Sequence, residues 1–87
     1  MSEFIYDENK SSTNKNKHGI DFIETQLLWE DVDRIIIPAR VLDELRFIII
    51  GKIENKYWSA IFTIRDDKIR IISARRSRKE EIKIYES

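Results

Sequence analysis

Leu45-Arg-Phe-Ile-Ile-Ile-Gly-Lys-Ile53 is followed by Glu54-Asn55, then Lys56-Tyr-Trp-Ser-Ala-Ile-Phe-Thr-Ile-Arg65, then Asp66-Asp67, then Lys68-Ile-Arg-Ile-Ile-Ser-Ala74. These are three runs rich in β-branched and aromatic residues, split by two polar pairs. Such residues suit a pleated, half-buried surface. A two-residue polar break between such runs marks a hairpin, although neither pair is Asn-Gly, the pair best suited to that turn. With two residues in each turn, Ile53 opposes Lys56 and Arg65 opposes Lys68. Counting back, one sheet face carries Leu45, Phe47, Ile49, Trp58, Ala60, Phe62, Ile64, Ile69 and Ile71, and needs a cover. The other face carries the row Arg46–Thr63–Arg70, with Arg65 and Lys68 beside it. The next row on that face is Ile48–Ile61–Ile72.

Outward from this meander, Arg34-Ile-Ile-Ile-Pro38 is β-branched and ends in proline, which suits an edge strand. Phe4-Ile5-Tyr6 reads as a second short edge strand. Asp7 is placed to cap a polar helix running to about Lys17, and Gly19 to stop it. Asp21 with Glu24 is a capping-box pattern for a helix from Phe22 to about Glu30, whose apolar stripe is Phe22, Ile23, Leu27 and Trp29. The predicted order is β-α-α-β-β-β-β-α. It describes an α+β domain with a small, mostly antiparallel sheet, two N-terminal helices and one C-terminal helix.

Eighty-seven residues are expected to form one domain over residues 1–87, with room for one modest core and none for a separate catalytic domain. Without cysteine, neither a disulfide framework nor thiolate ligation is possible. No apolar run is long enough to span a bilayer and the N-terminus reads as lacking a signal peptide, so the expected location is cytoplasmic. Metal-ligand spacings, Gly-rich phosphate loops and nucleophile elbows are missing, so no metal or cofactor is expected.

The formal net charge is zero, yet its parts are segregated. Acids gather in the middle at Glu24, Glu30, Asp31, Asp33, Asp43 and Glu44. Lys68, Arg70, Arg75, Arg76, Arg78 and Lys79 form a run with no acid inside it. Segregated cations mark surfaces that meet polyanions, and guanidinium forks match phosphate oxygens and stack on bases. The alternative is a solvated surface paired with Asp66, Asp67, Glu80 and Glu81. Ser77 with Glu80 is a third capping-box pattern, which starts a helix near Arg78 with Arg78, Glu81, Ile82 and Tyr85 on one face. Glu81 and Tyr85 read either as a base and a phosphate contact or as an ordinary helix pair under the sheet. His18 is the one histidine, the residue type whose ordinary pKa permits proton exchange near neutrality. Beside Gly19 it equally reads as a cation favouring the C-terminal end of the first helix. Trp29 and Trp58 fall on expected buried faces and read as core, not as stacking platforms.

Tyr6-Asp7, followed by Asn14-Lys-Asn-Lys17-His18-Gly19-Ile-Asp-Phe22, resembles the opening signature of the BrnT toxins. Glu44-Leu-Arg46, Arg65 at its strand end, and Arg70-Ile-Ile-Ser-Ala-Arg75 with Glu81 and Tyr85 extend the resemblance over almost the whole chain. Tyr6 stands where the family usually has Trp, and Ser77 where it often has Ala. The resemblance implies a RelE-like fold, ribonuclease activity and the toxin role in a bacterial type II toxin–antitoxin module. It also implies a BrnA-like ribbon-helix-helix antitoxin, two toxins assembled with two antitoxins, and contact with promoter DNA only through the antitoxin.

Metal-free RNA cleavage requires a 2′-hydroxyl to attack the adjacent phosphate, while the protein accepts a proton, stabilises the phosphorane charge and protonates the leaving oxygen. Arg65, Arg70 and Arg75 suit the stabilisation of charge, and Glu81 or His18 suits the base. Lys17, Arg46, Lys68, Arg76 and Tyr85 suit the holding of RNA. The expected function is a metal-independent endoribonuclease that inhibits translation and growth. The alternative is a non-catalytic RNA-binding or protein-interaction module.

Overall fold

A computed structural model of the chain describes residues 3–40 and 43–87. Among these residues a five-stranded sheet has the order β1-β5-β4-β3-β2. Its strands are β1 Phe4–Ile5, β2 Ile35–Arg40, β3 Leu45–Ile53, β4 Lys56–Arg65 and β5 Lys68–Arg76. The helices are α1 Glu8–His18, α2 Phe22–Thr25 and α3 Lys79–Glu86. The α+β layout is the expected one. β1 runs parallel to β5, and the remaining neighbours are antiparallel.

Both hairpins hold the register that their turns dictate, with Ile53 opposite Lys56 and Arg65 opposite Lys68. Glu54, Asn55, Asp66 and Asp67 all adopt positive φ, between 50° and 68°. That backbone matches the twist of tight hairpins, and Asn and Asp are the non-glycine residues that tolerate it best. Ile49, Ala60, Phe62, Ile69 and Ile71 are buried against Ile20, Phe22 and Leu28. Trp29 and Trp58 pack on this core, Trp29 edge-on to Phe4 and Phe62 at 5.0 and 5.1 Å. Leu45 and Ile64, expected under the same cover, are 59% and 52% exposed, so that end of the face stays open.

The expected apolar stripe after Phe22 is corrected by a change of helical gauge. α2 ends at Thr25, and Gln26–Glu30 continues as a 3₁₀ helix. Three residues per turn instead of 3.6 shift the phase, so Leu28 is buried while Leu27 faces solvent, and Ile23 is exposed already on the α-helical turn. Gly51 makes room for this. A Cβ there would stand 3.1 Å from Leu28 and 3.2 Å from Asp31.

α1 has no apolar stripe and is anchored instead by polar side chains. Asp7 accepts from the Lys10 N–H, and Gly19 closes the helix at φ 82° with its N–H on Lys15. Ser11 Oγ accepts from the Phe22 N–H at 2.9 Å. Asn14 Nδ2 donates to the carbonyls of Ile20 and Ala74, and its Oδ1 accepts from the Ala74 N–H. β1 pairs only with Ile69 and Arg70, so the carboxamide serves the rest of that β5 edge where a neighbouring strand would.

α3 begins one residue later than its sequence signal. Ser77 continues the β5 pairing by donating its N–H to Tyr57, and Arg78 takes the cap position with its N–H on the Glu81 carboxylate. No helix among the described residues is long and apolar enough to cross a membrane.

Candidate active site

Arg70 and Arg75 are five residues apart, an odd separation that in a regular strand sends side chains to opposite faces. β5 is not regular. Thr63 pairs with Arg70 and Phe62 with Ile71, but Ile61 pairs with Ser73 and Ser59 with Arg75. Ile72 is left over as a bulge, and both arginines stand on the face turned away from Phe22 and Leu28. Bulges commonly lie beside active sites, where they re-aim a side chain. The row expected from alternation, Ile48–Ile61–Ile72, is corrected to Ile37–Ile48–Ile61–Ser73. Along β4 the step from Ser59 to Thr63 sets Arg75 and Arg70 about 13 Å apart at the backbone.

At the Arg75 end the charges are paired. Arg75 Nη1 and Nη2 donate to the two Glu81 oxygens, each at 2.8 Å, a fork that aligns both groups. Ser59 Oγ donates to Glu81 at 2.9 Å and lies 2.7 Å from Ser77 Oγ. The Arg75 hydrogen bonds hold the Glu81 carboxyl down to about 2, against the opposing effect of burial and with help from the Arg78 N–H and Ser59. Glu81 is therefore a fixed anion near neutrality. Above Ser59, α3 rests on β3, where Ile50 is fully buried.

At the other end the pairing is loose. Among the described residues Arg70 has no carboxylate within ion-pair distance. The buried Thr63, paired with Arg70, donates its hydroxyl to the carbonyl of Leu45, and the next residue is Arg46, whose Nε is buried without a hydrogen-bond partner. Glu44 lies between Arg46 and Arg65, at 3.3 and 3.7 Å, and Lys68 lies 3.7 Å from Glu3.

Between these ends, Lys10, Asn14, Lys17, His18, Ile72 and Ser73 line a groove of about 310 Å³ between α1 and β5. His18 and Lys17 thus border the bulge, midway along β5 between the two arginines. Asn14 fixes this approach by holding Ala74. The residue types of Asn14, Ser59 and Ser73 do not single them out, since an Asn in a polar run or a lone Ser in an apolar strand carries no chemical signal.

Two candidates are not brought to this group. Arg76 turns to the opposite face, its Nε on the Tyr57 carbonyl and its guanidinium 5.4 Å over the Trp58 ring. Tyr85 donates its hydroxyl to Asp31 at 2.8 Å. Burial, together with that carboxylate, pushes the phenol up to about 12. Burial works against ionisation of Asp31 too, but the N–H groups of Lys52 and Asp33 and the Tyr85 hydroxyl hold its carboxyl below the usual range. Glu30, Asp33 and Glu54 line the same recess, an acidic setting that repels a polyanion.

Fold and site together define a small α+β domain with a cationic open sheet face beside a locked arginine–glutamate pair. Residues 6–81 match the family described as the ribonuclease toxin, BrnT, of type II toxin-antitoxin systems, and the chain belongs to that family. Its family role is that of the ribonuclease toxin, and a type II system includes an antitoxin as its partner. A comparison with curated proteins finds no match to this chain. The matched residues include His18, Arg65, Arg70, Arg75 and Glu81 and stop short of Tyr85.

Proposed function

We propose that this chain cleaves RNA in the cytoplasm without a metal ion, with Arg70 and Arg75 stabilising the phosphorane and His18 accepting the 2′-hydroxyl proton. The bulge at Ile72 carries this reading, because it turns both arginines to one face beside His18. The 2′-oxygen forms its bond to phosphorus, the bond to the 5′-oxygen breaks, and that oxygen leaves with a proton from solvent at the open face. The products are a 2′,3′-cyclic phosphate and a 5′-hydroxyl. Each guanidinium aimed at the developing charge contributes on the order of tenfold to a thousandfold. Imidazole is the group suited to proton exchange near neutrality. Glu81, ionised and bound at both oxygens, acts on Arg75 as an orienting anion and does not take up the proton.

The partner is read as a ribbon-helix-helix antitoxin in an assembly of two toxins and two antitoxins. Ile37, Ile48 and Ile61 are only half-buried on the arginine face, and a partner lying on this row blocks RNA by occupation.

Incubating the purified protein with total RNA in excess chelator tests the chemistry. Cleavage should persist and leave a 2′,3′-cyclic or 3′-phosphate end. A 3′-hydroxyl end, or activity abolished by the chelator, rules the mechanism out. Binding with no cleavage supports the non-catalytic alternative.

A further inference from the structure

We infer that Arg46 and Arg65 form a second phosphate subsite for single-stranded RNA, filled in the free protein by the chain's own Glu44 carboxylate. This rests on the ribonuclease reading above and extends it along the sheet. Glu44 Oε2 lies 3.3 Å from Arg46 Nη2, and its Oε1 lies 3.7 Å from Arg65 Nη2. One carboxylate therefore spans guanidinium groups on two adjacent strands.

Its hold is weak. Charge-assisted contacts of this type normally close to about 2.7–2.9 Å, as Arg75 and Glu81 do at 2.8 Å on both oxygens. The Glu44 and Arg65 side chains are 35% and 52% exposed, so water and salt compete for them. Arg46 is left incomplete, because its Nε is buried with no partner while the adjacent Nη2 holds Glu44. A buried donor without an acceptor is an unfavourable state. An anion with two oxygens on one centre relieves it by taking Nε and Nη2 together once the guanidinium swings outward. A phosphodiester offers those oxygens and, unlike Glu44, arrives tied to the strand being cut.

Position favours RNA over an acidic peptide. Thr63 pairs with Arg70 on one side and on the other donates its hydroxyl to the carbonyl of Leu45, the residue before Arg46, which sets the two arginines about 10 Å apart at the backbone. Arg70 has no carboxylate of its own among the described residues, and Lys68 stands beside Arg65. A strand leaving the Arg75 end past Arg70 meets Arg46 and Arg65 next.

Affinity for a fully 2′-O-methylated oligoribonucleotide, measured over a range of salt, tests the subsite. This ligand lacks the attacking hydroxyl, so binding is read apart from cleavage. Glu44→Gln should tighten binding about fivefold, the opposite of what loss of a purely structural ion pair would do. Arg46→Ala and Arg65→Ala should each weaken it by about fivefold and lower the salt slope by roughly 0.7 per lost phosphate. Arg65 is exposed enough for its variant to keep the fold if Arg46→Ala does not. Wild-type affinity and slope in Glu44→Gln and Arg65→Ala would overturn the subsite, as would changes confined to antitoxin affinity. Failure of the wild type to cleave RNA would instead remove the ribonuclease reading and leave these binding results standing.

Discussion

Arg75 and Arg70 stand on one face of one strand, yet one is locked and the other is open. Arg75 is gripped by Glu81, which is itself fixed by Ser59 and the Arg78 N–H. Arg70 has no such partner among the described residues. The first end is organised before any ligand arrives. At the second, the ligand must do the ordering, at a cost in side-chain entropy. The same residue type thus supplies preorganisation at one place and unspent charge at another. The difference lies in α3, which docks its glutamate beside Arg75 and out of reach of Arg70.

The largest loss is expected at the open end, where Arg70→Ala should reduce kcat/KM by about 10²- to 10³-fold with an unchanged melting temperature. Arg70→Lys should recover little, since an ammonium cannot reproduce the guanidinium fork. Arg75→Ala should lose similar activity and also stability, by on the order of 1–3 kcal/mol, because it leaves the mostly buried Glu81 carboxylate without its main donor.

Acid should separate the two ends further. Folding lowers the Glu81 pKa from 4.5 to about 2, so its pair adds stability that is fully present above pH 4.5 and is lost as pH falls toward 2. The loss is at most about 3 kcal/mol, and Glu81→Gln should flatten that part of a denaturation-against-pH curve. The smallest effect belongs to Tyr85→Phe. It removes the hydrogen bond to Asp31 and should cost about 1 kcal/mol in urea denaturation while cleavage stays at the wild-type rate.

The same contrast governs what could be read from residues alone. The hairpins were legible because period-2 patterns and polar two-residue turns are local, and the strand ends of β3 and β4 follow from them. The bulge was not, since alternation carries no mark of a skipped residue inside Ile71-Ile72-Ser73. Nor was the 3₁₀ continuation after Thr25, where packing of Leu28 against Gly51 overrides the α-helical stripe. The capping signal at Ser77 competed with strand pairing to Tyr57, and pairing won. The family resemblance picked out Arg70, Arg75 and Glu81 together. It did not show that Glu81 is bound to Arg75, or that Tyr85 is tied to Asp31 on an acidic recess, because both pairings depend on where α3 docks.

Comparing kcat/KM for the wild type, Arg70→Ala, Arg75→Ala and the double variant on one RNA tests most directly whether the two ends act on the same phosphate. Two guanidinium groups serving one transition state act as a unit, so the double variant should be scarcely slower than the slower single variant. Losses that simply multiply, or singles that cleave like the wild type, would contradict a shared site.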